Sequence, residues 1–219
     1  MNNKRKIQPR DILAIAACIG ALLLFIDIKL AIEGVKHTAF DQAIQKWVNV
    51  YTNEQLESFF VFITNLASWQ CIVALVVIAG FLFWHYFKDR TAAIILALSA
   101  WGTYELNHLL KAWAQRRRPS INEAVDGVGY SFPSGHAMVG FVFYAMLTYF
   151  LLKYLPLSKL GKQIFLGFSG VFIFLIGISR VVLSVHYPTD IAGGFAAGFI
   201  IVMLFLWLYR YVKFRSSEK

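Results

Sequence analysis

Six stretches of about 20 mostly apolar residues constrain this chain more than anything else in it. They run roughly over 12–32, 58–84, 91–112, 136–155, 162–182 and 190–211. A helix of that length, rising 1.5 Å per residue, matches the hydrocarbon thickness of a bilayer. In lipid every backbone N–H and C=O must be satisfied within its own segment, so the runs read as transmembrane α-helices. The composition agrees: 58% of the residues are hydrophobic and 15% are charged, against about 25% charged in soluble domains. The expected fold is all-α, a polytopic membrane protein with six transmembrane helices in a single domain over 1–219. The first run follows Lys4, Arg5, Lys6 and Arg10, as the core of a signal peptide would. It is long for that role and no small-residue cleavage site follows it, so it is kept as a span.

The formal net charge of +9 would suggest nucleic acid in a soluble protein. In a membrane protein Lys and Arg set orientation and meet anionic lipid, so no nucleic-acid partner is expected. Lys4, Arg5, Lys6, Arg10, Lys88, Arg90, Lys153, Lys159, Lys162, Arg210, Lys213, Arg215 and Lys219 all fall on one side of a six-span chain. That side, with both termini, is expected to be cytoplasmic in a bacterial plasma membrane. The other side carries Lys29, Lys36, Lys46, Lys111, Arg116, Arg117, Arg118 and Arg180. Half of these crowd into 111–118, against the orientation rule, which marks that stretch as functional. Residues 39–50 are expected to form a short interfacial helix. Cys18 and Cys71 lie in apolar stretches and read as packing residues. Gly194 and Gly198 form a GxxxG, which fits close helix packing, with homodimerisation as its alternative use.

With the N-terminus inside, spans three to six deliver their polar ends to the same extracytoplasmic face. Lys111 and Arg118-Pro119 close span three, and Ser134-Gly135-His136 opens span four. Ser179-Arg180 ends span five, and His186 and Asp190 open span six. Lys111, Arg118 and Arg180 are three cations suited to surrounding one phosphate. The start of span four adds free N–H groups and a positive dipole end. Gly135 lets backbone approach closely, and Ser134 offers a hydroxyl donor. Two histidines complete a reactive set. One neutral imidazole can attack phosphorus, and the other can protonate the departing oxygen and then activate water. Asp190, four residues after His186, can fix an imidazole tautomer. The scheme needs no metal or other cofactor.

The stretches KAWAQRRRP at 111–119, PSGH at 133–136 and SRVVLSVHYPTD at 179–190 are similar to the signature K-x6-R-P, P-S-G-H, S-R-x5-H-x3-D. On these the chain resembles the type 2 phosphatidic acid phosphatase superfamily of membrane lipid phosphatases. Every defining position matches in order and spacing. The resemblance implies that His186 is the nucleophile, that Asp190 orients it and that His136 is the general acid. It implies a phosphate site of Lys111, Arg118, Ser134, Gly135 and Arg180. It further implies hydrolysis of a lipid phosphate or pyrophosphate: phosphatidylglycerol phosphate, phosphatidic acid or undecaprenyl pyrophosphate. The alternatives are a lipid phosphotransferase, or a non-catalytic binder or transporter. An intact pair of histidines with Asp190 speaks against the binder.

Outside the signature the pattern is weaker. Arg116 and Arg117 fit attraction of anionic headgroups or simple solvation of the loop equally well. Glu105, Asn107 and His108, near the end of span three, fit helix–helix hydrogen bonding or the lining of a lipid entrance. His37 and His85 read as loop or interface residues.

Overall fold

The computed structural model describes residues 8–120, 125 and 127–217. Lys4, Arg5, Lys6 and Lys219 lie outside them. The described residues form eight α-helices: α1 (Pro9–Ala31), α2 (Ala39–Tyr51), α3 (Glu54–Asn65), α4 (Trp69–Phe81), α5 (Arg90–Ala114), α6 (Gly135–Tyr154), α7 (Lys159–Val182) and α8 (Pro188–Ser217). A π-helical turn, Leu82–Tyr86, extends α4. Five stretches among the described residues are long and apolar enough to cross a membrane: Asp11–Ala31, Trp69–Tyr86, Gly135–Tyr154, Lys159–Val182 and Pro188–Ser216. Outward-facing side chains such as Leu13, Leu30, Val77, Phe81, Phe168 and Trp207 are more than half exposed. Such an apolar exterior suits contact with lipid.

One of the expected elements takes a different form. The run at 58–84 is a short α3 followed by α4, not one helix. The break at 66–68 has local causes. The Ser68 hydroxyl caps α4 by accepting from the Cys71 N–H at 3.3 Å, and the Leu66 carbonyl receives the Tyr144 hydroxyl at 2.6 Å. The short helix expected over 39–50 is present as α2. Thr38 caps it, with its hydroxyl accepting from the Asp41 N–H while the Asp41 carboxylate accepts from the Thr38 N–H, each at 3.1 Å.

α5 is 25 residues long but falls outside the five apolar stretches. Between Arg90 and Lys111, Glu105, Asn107 and His108 lower its hydropathy most, and Ser99, Thr103 and Asn107 form a polar stripe at four-residue spacing, all three buried. Ser99 and Thr103 return their hydroxyls to carbonyls of their own helix. Asn107 crosses to the Pro133 carbonyl at 3.2 Å. Asn107 thus takes the helix–helix role expected for this group, whereas Glu105 and His108 are exposed.

α6 is the central helix, packed on α5, α7 and α8. Met138, Val142, Phe143, Met146 and Phe150 along it have no exposed surface. The GxxxG of α8 is used within the chain. A Cβ on Gly194 would sit 3.0 Å from the Ser134 carbonyl oxygen, and one on Gly198 would sit 3.2 Å from that of Met138. Both glycines let α8 approach the backbone of α6, and the homodimer they raised has no support. Cys18 and Cys71 are free thiols.

The end of the bundle away from the signature residues is held by one carboxylate. Asp89 caps α5, accepting from the Ala92 N–H at 3.1 Å. It also accepts the Tyr209 hydroxyl at 2.6 Å and the Tyr154 hydroxyl, and pairs with Lys213 at 3.1 Å and Lys153 at 3.2 Å. Burial pushes its pKa up, but these donors outweigh burial and hold it well below the usual carboxylate range. Its contribution to stability is therefore complete above about pH 4 and fades as pH falls below that, towards its depressed folded pKa. Asp89→Ala, which strands the buried Tyr209 hydroxyl and Ala92 N–H, is expected to cost roughly 1–3 kcal/mol. Thermal melts in detergent check this: the deficit should be constant from about pH 5 to 8 and shrink in acid.

Candidate active site

The signature residues gather at the opposite end, where α5 and α7 finish and α6 and α8 begin. The loop from α7 to α8 is short and sharply turned. Ser184 adopts a left-handed φ of 56°, and the Val185 and His186 N–H groups both donate to the Arg180 carbonyl, at 3.1 and 3.2 Å. That turn carries the His186 imidazole into the protein, where it is 1% exposed. Pro188 then begins α8, with Asp190 in its first turn.

The surroundings of His186 decide its tautomer. Its Nε2 lies 2.8 Å from Arg118 Nη1. A guanidinium only donates, so Nε2 must present its lone pair. The proton then sits on Nδ1, which faces Asp190 Oδ2 at 3.3 Å and the Ser131 hydroxyl at 3.2 Å. His186 stays neutral for two reasons: burial disfavours the cation, and Arg118, Arg180 and Lys111 add positive charge nearby. Its pKa is pushed well below the ordinary imidazole value. A neutral imidazole whose Nε2 lone pair is turned to a phosphate-site arginine, with a carboxylate behind Nδ1, is the electronic arrangement of a nucleophile.

Asp190 has no exposed surface. Its Oδ2 also accepts from the Ser131 hydroxyl at 2.5 Å and the Tyr187 N–H at 2.8 Å, and its Oδ1 accepts from Arg116 at 2.7 Å. Its backbone carbonyl receives the Ser134 N–H at 3.1 Å. This last bond ties the start of α8 to the start of α6.

The cations come from three elements. Arg118 is anchored through Nε to the Val128 and Gly129 carbonyls, at 3.0 and 3.1 Å, and through Nη1 to that of Val185 at 2.8 Å. Arg180 has no exposed surface and donates to the Thr64 hydroxyl on α3 at 2.7 Å. Lys111 Nζ would lie 3.8 Å from a Cβ placed on Gly135, and Asn107 Oδ1 only 3.0 Å from it. Glycine at 135 therefore lets the last turns of α5 reach the first turn of α6. Ser134 caps α6 through a 3.4 Å bond to the Ala137 N–H. His136, half-buried in the first turn, is within electrostatic reach of Arg180, His186, Lys111 and Arg118. Lys111, Arg118, Ser134, Gly135, His136, Arg180, His186 and Asp190 are thus brought together.

Several contributors lie outside the expected site. Arg116 is buried, and neither a solvated residue nor one exposed to headgroups; Arg117 is exposed. Ser131 stands three residues before the PSGH serine and Thr189 directly before Asp190, so proximity to the motifs was their only signal. Asp41 and Thr64 come from α2 and α3. In sequence Asp41 is a capping-box acid and Thr64 one hydroxyl in an apolar run.

The class that this fold and site define follows from comparison with known proteins. Residues 91–214, more than half of the chain, match the PAP2 superfamily, and the chain belongs to it. It is 36% identical over 188 residues to phosphatidylglycerophosphatase B of Bacillus subtilis, covering 85% of this chain and 91% of that protein. Its fold matches the crystal structure of a transmembrane PAP2-type phosphatidylglycerolphosphate phosphatase from Bacillus subtilis, with a TM-score of 0.80 and 31% identity, over 90% of this chain and 97% of that one. It is also 26% identical to the dolichyldiphosphatase of Saccharomyces cerevisiae, over 69% of this chain and 66% of that protein.

The neutral state of His186 is directly observable. In histidine-labelled protein, the imidazole NMR signal that disappears in His186→Asn is expected not to titrate between about pH 5.5 and 8, where an unperturbed imidazole does. A midpoint near 6.5 for that signal would contradict the site's electrostatics.

Proposed function

We propose that the chain removes the terminal phosphate of phosphatidylglycerol phosphate through a phosphohistidine intermediate. As a PAP2 protein with this helical body it is a membrane lipid phosphatase; the preferred lipid and the residue roles are the proposal. The observation that carries the roles is the two-sided environment of His186, with Arg118 at Nε2 and Asp190 behind Nδ1.

In the first step Arg118 passes its hydrogen bond from Nε2 to a phosphate oxygen, Nε2 attacks phosphorus and the bond from phosphorus to the lipid oxygen breaks. His136, protonated when the phosphate's negative charge is beside it, gives its proton to that oxygen, and the dephosphorylated lipid leaves. Asp190 stabilises the positive charge that develops on His186. Lys111, Arg118, Arg180 and the N–H groups at the start of α6 hold the equatorial oxygens, with Ser134. In the second step water gives a proton to His136 and attacks phosphorus. The P–N bond breaks, and inorganic phosphate and neutral His186 remain.

α5 completes a set of six spans in this reading. At about 1.5 Å per residue its length exceeds the hydrocarbon core, and its polar stripe is turned inward. The termini are cytoplasmic and the site extracytoplasmic. Support comes from the basic residues at the Asp89 end, among them Arg90, Lys153 and Lys213, as the orientation rule requires of the cytoplasmic side. The lipid's chains stay in the bilayer while its headgroup meets the cations. A prenyl pyrophosphate is the second reading for the substrate, favoured by the likeness to the yeast dolichyldiphosphatase.

The test is phosphate release by purified protein, with excess chelator, from phosphatidylglycerol phosphate, phosphatidic acid and undecaprenyl pyrophosphate. The expected result is release fastest from the first, abolished in His186→Ala, with an acid-labile, base-stable phosphoenzyme trapped during turnover. Fastest release from the pyrophosphate would select the second reading. Turnover in His186→Ala would overturn the mechanism, and phosphate moved to another lipid instead of water would make the protein a phosphotransferase.

A further inference from the structure

Arg116 lies one residue from an exposed arginine and two from a phosphate-site arginine, yet it does something else. It is 5% exposed, and its guanidinium spans two carboxylates that have no exposed surface at all. Nη2 meets Asp41 Oδ2 at 2.6 Å, and Nη1 meets Asp190 Oδ1 at 2.7 Å. Nη1 also donates to the Thr189 hydroxyl at 2.7 Å, and the guanidinium stacks 4.3 Å from the centroid of the Tyr187 ring. Asp41 in turn accepts the Thr189 N–H at 3.0 Å and its hydroxyl at 2.8 Å. Arg116 therefore holds the Asp190 oxygen opposite to the one that faces His186.

We propose that Arg116 and Asp41 are positioning residues for the reaction: Arg116 sets the rotation of the Asp190 carboxylate so that Oδ2 faces His186 Nδ1, and Asp41 holds Arg116. The inference rests on the proposed roles of His186 and Asp190. Its physical basis is twofold. A buried carboxylate that must orient an imidazole needs its second oxygen fixed, or the group rotates between its donors. A planar fork can serve two carboxylates at once, which an ammonium cannot do with the same geometry. Without Arg116 two buried carboxylates lose their shared cation. This arrangement makes α2, which carries none of the signature, part of the reaction centre.

The experiment uses the full-length protein and, in mixed micelles, whichever lipid of the phosphate-release panel it hydrolyses fastest, with phosphatidylglycerol phosphate expected. Wild type beside His186→Ala comes first, because turnover that survives His186→Ala would remove the proposed mechanism and not the role of Arg116 in particular. Arg116→Gln is expected to lower kcat about 10–100-fold, the usual scale for losing the support of a reacting group. KM and inhibition by inorganic phosphate should change less than about twofold, because Arg116 does not touch the phosphate site. Arg116→Lys should recover part of the loss, and Asp41→Asn should lower kcat in the same pattern by less. The decisive comparison is a double-mutant cycle. In an Asp190→Asn background, Arg116→Gln should slow the reaction less than about twofold further, since what it positions is already gone. An equal loss in both backgrounds, or a rise in KM and phosphate Ki with unchanged kcat, would overturn the proposal. If Arg116→Gln does not fold, as thermal melts would show, Asp41→Asn and Thr189→Val carry the same cycle with the same criterion.

Discussion

A carboxylate with no exposed surface must find its hydrogen-bond donors within the protein. Asp190 meets this demand with donors from across the molecule. Arg116 comes from the segment after α5, Ser131 from the approach to α6, and the Tyr187 N–H from the turn before α8. Its carbonyl holds the start of α6 through Ser134. The desolvation of one acid thus fixes the relative placement of the helix ends that carry the chemistry. The cations of the signature are arranged around that fixed point. Arg118 is tied to the His186 turn through the Val185 carbonyl, and Arg180 serves twice, through its backbone under His186 and through its guanidinium to α3.

The bundle between the two polar ends is apolar packing governed by close approach. Gly194 and Gly198 bring α8 against the backbone of α6 near the site. At the far end Asp89 gathers α5, α6 and α8 through a cap, two phenols and two ammonium groups. Dispersion and hydrogen bonding drive helix association where lipid is as apolar as the helices themselves. Buried acids at both ends supply specificity that the apolar middle lacks.

Much of this was legible in the sequence, for identifiable reasons. Long apolar runs report spans because the bilayer imposes length and polarity together. The signature residues were found because they lie at helix ends, where spacing along the chain translates into position in space. The break at 66–68 was not legible. A serine cap and a distant tyrosine make it, inside a run apolar on both sides. Arg116 escaped because its two partners, Asp41 and Asp190, are far from it along the chain, and an arginine beside two others looks like part of a charge run. Asp41 escaped for a similar reason: its local role as a capping acid is sufficient to explain its presence.

The polar stripe of α5 has a consequence for how the protein reaches its membrane. Ser99 and Thr103 satisfy themselves, but Asn107 needs the Pro133 carbonyl just before α6, and Lys111 lies against the first turn of α6. In the proposed six-span reading, a nascent chain that ends within α5 presents the bilayer with a segment whose partner has not yet been made, and α5 and α6 are expected to insert together as a hairpin. The first and second parts of the signature lie at the two ends of the connection within that hairpin. Lys111, Arg118, Ser134 and Gly135 thereby come together in the event that pairs α5 with α6, whereas Arg180, His186 and Asp190 arrive only with the later pair of helices.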